Sequence, residues 1–181
     1  MNFFQLYEAI ENFIGYTIYC DLDAVLVDLE KGLVDEMGLH DRPTRLEILK
    51  DLNQLEKEGH DLEVFFATLP WTTDGKDLWT YLRPYEPIII TAVNSESHPA
   101  VASGKYEWCK KELGLPKDRV ICEPKKEIYA RPKSILIDDW NRNIKYWREA
   151  GGIGVLHTSA SDSIDKLKSI IVPKTRKESR A

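Results

Sequence analysis

The sequence predicts an α/β fold: a parallel five-stranded sheet with helices on its two faces. Three observations point there. Short runs of β-forming residues alternate with amphipathic helical stretches along most of the chain. Glycines stand where the helical patterns stop, at Gly15, Gly38, Gly59, Gly114 and Gly151-Gly152. Three of the strands run directly into acidic or hydroxylic residues, and a parallel sheet binds its ligands beyond the carboxyl ends of its strands.

Phe3, Phe4, Tyr7, Ile10, Phe13 and Ile14 recur at helical spacing and predict an N-terminal helix stopped at Gly15. Tyr16 to Cys20 is the first strand and leads into Asp21. Residues 28–59 read as mostly helical: Leu29, Leu33 and Met37 form one face up to Gly38, and Leu46, Leu49, Leu52 and Leu55 form another up to Gly59. Residues 69–75 are a loop, and a short helix covers 76–82. The second strand, 87–92, carries Ile88-Ile89-Ile90 into Thr91. A helix over 99–113 precedes the third strand, 119–122. The fourth strand, 134–137, ends at Asp138-Asp139 and is followed by a helix over 141–150. The fifth strand is 153–157, and the last helix is 161–171.

The 181 residues suit a single domain with a small insertion. Hydrophobic residues make up 43% and charged residues 30%, the balance of an ordinary globule. The net charge of −5 argues against general nucleic-acid binding, which draws on a basic excess. The basic, polar run 174–181 reads as a solvated tail. Cys20, Cys109 and Cys122 have neither disulfide-framework nor zinc spacing, which fits a reducing cytoplasm. No apolar run approaches the roughly 20 residues of a membrane span, and the N-terminus does not read as a signal peptide.

A parallel sheet would bring Asp21, Asp23, Thr91, Asp138 and Asp139 to one edge. Carboxylates held together repel, so the cluster calls for a cation. A hard, oxygen-preferring ion such as Mg²⁺ matches such ligands.

Asp21-Leu22-Asp23-Ala24-Val25-Leu26-Val27-Asp28 resembles the first motif of the haloacid dehalogenase-like superfamily. Thr91 matches the second motif, Lys105 is the best match to the third, and Ile135-Leu136-Ile137-Asp138-Asp139 matches the fourth. The order and the strand or helix context agree from about Tyr16 to His157. Asp28-Leu29-Glu30, the segment Phe65 to Pro70, the segment Gly104 to Trp108 and the aspartate pair are similar to the 5'(3')-deoxyribonucleotidase branch. Two departures stand out. Ala24 occupies a position usually held by Gly, and Leu29 stands where the deoxyribonucleotidases carry an aromatic residue.

The resemblance implies a Rossmann-like core over about 1–28 and 65–171, a helical cap inserted at about 29–64, and a tail at 172–181. It implies a Mg²⁺-dependent phosphatase. Asp21 is the nucleophile and Asp23 the acid and base. Thr91, the Ala92 backbone, Lys105 and Lys126 bind phosphate; Lys125 is a weaker candidate in the same loop. Asp21, Asp23 (through its carbonyl), Asp138 and Asp139 are the metal candidates. Trp71 is the candidate contact for a base, while Phe65, Phe66 and Trp79 read as core. His157 reads as a capping or core residue. The expected substrate is a small phosphorylated molecule, preferably a (deoxy)nucleoside monophosphate; homodimerisation is left open. The alternatives are a polynucleotide 3'-phosphatase, a sugar-phosphate phosphatase and a non-catalytic module that kept the fold.

Overall fold

The computed structural model describes residues 15–38, 40, 41 and 43–171. The expected N-terminal helix and the basic tail lie outside the described residues. Five parallel strands form one sheet: β1 (Thr17–Cys20), β2 (Ile88–Thr91), β3 (Val120–Cys122), β4 (Ser134–Asp138) and β5 (Ile153–Leu156). Their spatial order is β3-β2-β1-β4-β5. In register, Cys20 sits beside Ile89 on one side and Ile137 on the other. The order reverses across β1, so the end of β1 faces the crevice where such sheets take ligands.

Alternation along the strands sorts side chains to two faces. Ile18, Cys20, Ile89, Ile135 and Ile137 join the larger core. Ile90 and Leu136 face the smaller one, with Ile144 and Trp147. The expected alternation of strands and helices is observed, with ends shifted by a residue or two. Among the described residues, α1 (Leu29–Met37), α2 (Arg45–Lys57), α3 (Leu62–Ala67) and α4 (Gly75–Leu82) lie between β1 and β2. Then come α5 (Pro99–Trp108), α6 (Asn141–Glu149) and α7 (Ala160–Ile171). Ile144 and Trp147 of α6 pack in the smaller core, while Leu78 and Leu82 of α4, Trp108 of α5 and Leu167 of α7 belong to the larger.

Two local features differ from the sequence expectation. The short helix α3 was not anticipated, because six residues with three adjacent apolar side chains show no clear period. Its start is set by Asp61, whose carboxylate accepts the N–H groups of Glu63 and Val64 at 3.0 and 3.2 Å. Helix α3 crosses α5 closely at Gly104. A Cβ there would lie 2.5 Å from the Glu63 carbonyl oxygen and 2.7 Å from Phe66 Cβ. The single helix expected over 99–113 loosens into a π-helical turn at Cys109–Leu113, closed by Gly114 at φ +69°.

Candidate active site

Asp21 follows β1 directly and is buried. Its Oδ1 accepts the Leu22 N–H at 2.8 Å. The chain then turns tightly. The Leu22 carbonyl accepts the N–H groups of Leu26 and Val27, both at 2.9 Å, and Ala24 N–H donates to the Val27 carbonyl at 2.8 Å. This turn holds Ala24 at φ +59°, a left-handed conformation that suits glycine better. Ala24, where the resemblance expects glycine, is thus accommodated as backbone strain in the loop beside Asp21. The loop is braced from outside by Thr72, whose hydroxyl donates to the Val25 carbonyl at 2.9 Å.

Two buried lysines organise the edge. Lys126 is 1% exposed. Its ammonium group lies 2.6 Å from Asp21 Oδ1 and 2.7 Å from Asp138 Oδ2. Burial works to lower the Lys126 pKa, but the Asp21 and Asp138 charges outweigh it and the net shift is upward, so the lysine stays charged. Burial raises the Asp21 pKa; Lys126 opposes that rise, while Asp138 and Asp23 add to it. Lys105 sits on α5 and is also buried. It donates to Asp23 Oδ2 and, at 2.7 Å, to Thr91 Oγ1. Thr91, at the end of β2, is fully buried.

Asp138 is held by three donors. Besides Lys126, the Trp140 N–H reaches Oδ1 at 2.8 Å and the Asn143 amide reaches Oδ2 at 2.9 Å. Asn143 is not among the residues that the sequence singles out. Its position in the first turn of a helix that follows a strand-end aspartate pair was the available signal. One carboxylate oxygen from each of Asp21, Asp138 and Asp139 lies within 4.8 Å of the other two. The Asp23 carboxylate does not belong to this cluster; it turns toward Lys105 and Thr91.

These residues fit a hard divalent cation. The donors are all oxygen, as Mg²⁺ prefers. A cation would also offset the burial and the carboxylate repulsion that together raise Asp21. Asp21, Asp138 and Asp139 are the side chains able to hold it.

A cleft of about 1200 Å³ opens over this edge. Asp21, Asp23, Ala92, Lys105 and Asp139 line its floor, and Leu29, Ile48 and Leu52 of α1 and α2 line the opposite wall. Trp71 does not line it. The indole packs on Trp108 with ring centroids 4.9 Å apart, and its N–H donates to Glu112 at 2.8 Å. Trp71, expected to contact a substrate base, is thus placed away from this cleft: an antiparallel bridge between Trp71 and Val27 and the loop's contact with α5 draw the ring into the protein. Phe66, read as core, is buried yet lines the cleft, as does Trp140. Phe65 and Trp79 are core residues.

No helix among the described residues is long and apolar enough to cross a membrane. No family model matches the chain, and no curated protein matches it. Among solved structures, it is similar to a hydrolase of the haloacid dehalogenase-like family from Streptococcus pneumoniae, at 14% identity and a TM-score of 0.46, covering 83% of this chain and 90% of that one. It is also similar to a protein assigned as a β-phosphoglucomutase from Thermotoga maritima, at 13% identity and a TM-score of 0.45, covering 86% and 99%.

Proposed function

We propose that this chain is a divalent-metal-dependent phosphomonoesterase of the haloacid dehalogenase-like type. One observation carries the reading: a single buried lysine, Lys126, joins the strand-end aspartates Asp21 and Asp138, and Asp139 completes a three-carboxylate cluster with them. Burying this much charge is costly unless it is paired, and a purely structural role would be served as well by apolar packing.

Asp21 attacks the phosphorus; the phosphorus–oxygen bond to the leaving group breaks as an aspartyl-phosphate forms. Asp23 gives its proton to the departing alkoxide. It then takes a proton from the water that attacks the aspartyl-phosphate, which releases phosphate and regenerates Asp21. Lys126 orients Asp21 and favours its charged form against burial, and Asp138, itself held by Asn143, holds Lys126. Lys105 and Thr91 sit on Asp23, where they can stabilise the non-bridging phosphoryl oxygens together with the Ala92 N–H. Asp21, Asp138 and Asp139, with the Asp23 backbone carbonyl, would hold Mg²⁺, which would supply the charge neutralisation that lets an anionic nucleophile meet an anionic substrate.

The helices over 29–64 act as a cap that encloses a small substrate. A nucleoside monophosphate is the first candidate, with Phe66 and Trp140 as the aromatic residues lining the cleft. A sugar phosphate is the second reading, favoured by the turning of Trp71 away from the cleft.

The test is phosphate release from a phosphomonoester panel. Turnover is expected with Mg²⁺ and none in excess chelator, and Mg²⁺ is expected to raise the melting temperature of the free protein. Asp21→Asn should fold normally and lose on the order of a thousand-fold or more in turnover. Near-normal turnover by that variant would sink the mechanism.

A further inference from the structure

His157 takes no part in the steps above, yet it sits on the same edge. It follows β5, and its backbone N–H donates to the Asp138 carbonyl at 2.9 Å. The side chain is 8% exposed, and that remaining surface lines the cleft. Nδ1 lies 2.8 Å from the hydroxyl of Ser163, a fully buried residue of α7. That contact fixes the ring plane. No protein partner meets Nε2 among the described residues. A ring nitrogen on a nine-tenths-buried side chain that faces a cavity calls for a partner from water or ligand.

The wall around it is polar. Thr73, Asp74 and Thr158 line the cleft beside His157. One Asp74 oxygen accepts the Ala160 N–H at 2.6 Å, which anchors the carboxylate near the ring. A second anionic group on a substrate would be repelled by Asp74. A hydroxyl, which can both donate and accept, matches a ring nitrogen beside a carboxylate. The apolar wall of Leu29, Ile48 and Leu52 faces this polar one across the cleft.

We infer that His157 Nε2 is a substrate contact that reads a hydroxyl of the leaving group, so that the preferred substrates are phosphomonoesters of polyhydroxylated alcohols without a second anionic group. The inference rests on the phosphomonoesterase reading and narrows its substrate class. Ser163 is a positioning residue that acts through the ring.

Two substitutions separate contact from packing. The amide of His157→Asn reproduces the position of Nδ1 and keeps the Ser163 partner, but lacks Nε2. His157→Gln places its amide near Nε2. The measurement is kcat/KM on a nucleoside 5'-monophosphate, a hexose phosphate and p-nitrophenyl phosphate, which has no hydroxyl to read. His157→Asn should lose about ten-fold on at least one of the two polyhydroxylated substrates, mainly through KM, as one lost hydrogen bond implies. It should change less than about two-fold on the aryl ester, and His157→Gln should recover part of the loss. Ser163→Ala should lose less than His157→Asn, on the same substrates only. Equal losses on all three substrates, or none on any, would overturn the contact while leaving the phosphatase reading intact. A wild-type protein that hydrolyses none of them would overturn the phosphatase reading itself.

Discussion

The carboxyl edge of the sheet and the α1–α2 insert face each other across one cleft, and they are built on opposite terms. At the edge, Thr91, Lys105, Lys126 and Asp138 are almost fully buried and bound to one another by short contacts. In α2, Leu55 is fully buried, while Ile48 and Leu52 are half-buried and turned to the cleft. The capping box at Thr44 and Glu47 is exposed. The edge concentrates charge on rigid strands, where small displacements would ruin the chemistry. The insert presents half-buried apolar side chains to the cleft, where shape can select a substrate. Under the proposed function, the difference assigns reaction type and substrate choice to separable parts of this molecule.

The comparison is broken most forcefully at Lys126. Lys126→Met should cost about 3–5 kcal/mol, because it leaves Asp21 and Asp138 buried beside each other without their shared cation. Urea denaturation measures this. A loss under about 1 kcal/mol would mean that the edge is not rigidly charge-paired. A smaller effect is expected in the insert. Leu52→Ala should cost no more than about 1–2 kcal/mol, since the side chain is only half-buried. It should raise KM for the larger substrates several-fold and leave kcat on p-nitrophenyl phosphate nearly unchanged. An equal fall in kcat on every substrate would show that the insert and the edge are one unit. The smallest effect belongs to the loop between them. Ala24→Gly should relieve the strain at φ +59° and stabilise by up to about 1 kcal/mol. A destabilised variant would show that the left-handed turn is not strained.

The residues that converge at the edge were legible one strand at a time. Tyr16 to Cys20, Ile88 to Ile90 and Ser134 to Ile137 are unambiguous β-formers, and the polar residues at their ends share an edge in any parallel sheet. Lys126 was only narrowly preferred to its neighbour Lys125, because both stand in a loop of loose pattern. Folding buries Lys126 and leaves Lys125 exposed. Trp71 misled because a tryptophan after Pro70 in a loop reads as a surface contact, whereas the loop lies against α5. His157 looked like a strand-end cap until Ser163 and the cleft were brought to either side of it.

The sequence by itself determined the parallel sheet, the order of its elements and the identity of the acidic strand ends. These follow from local periodicity and from a topology that places every strand end on the same side. Only the tertiary structure decided which charges pair, which aromatic rings reach the cleft and which imidazole nitrogen is left without a protein partner. Those outcomes depend on the direction of single side chains between elements far apart in the chain, such as Lys126 between β1 and β4 or His157 against α7. Direction of that kind is set by packing and is carried by no local pattern.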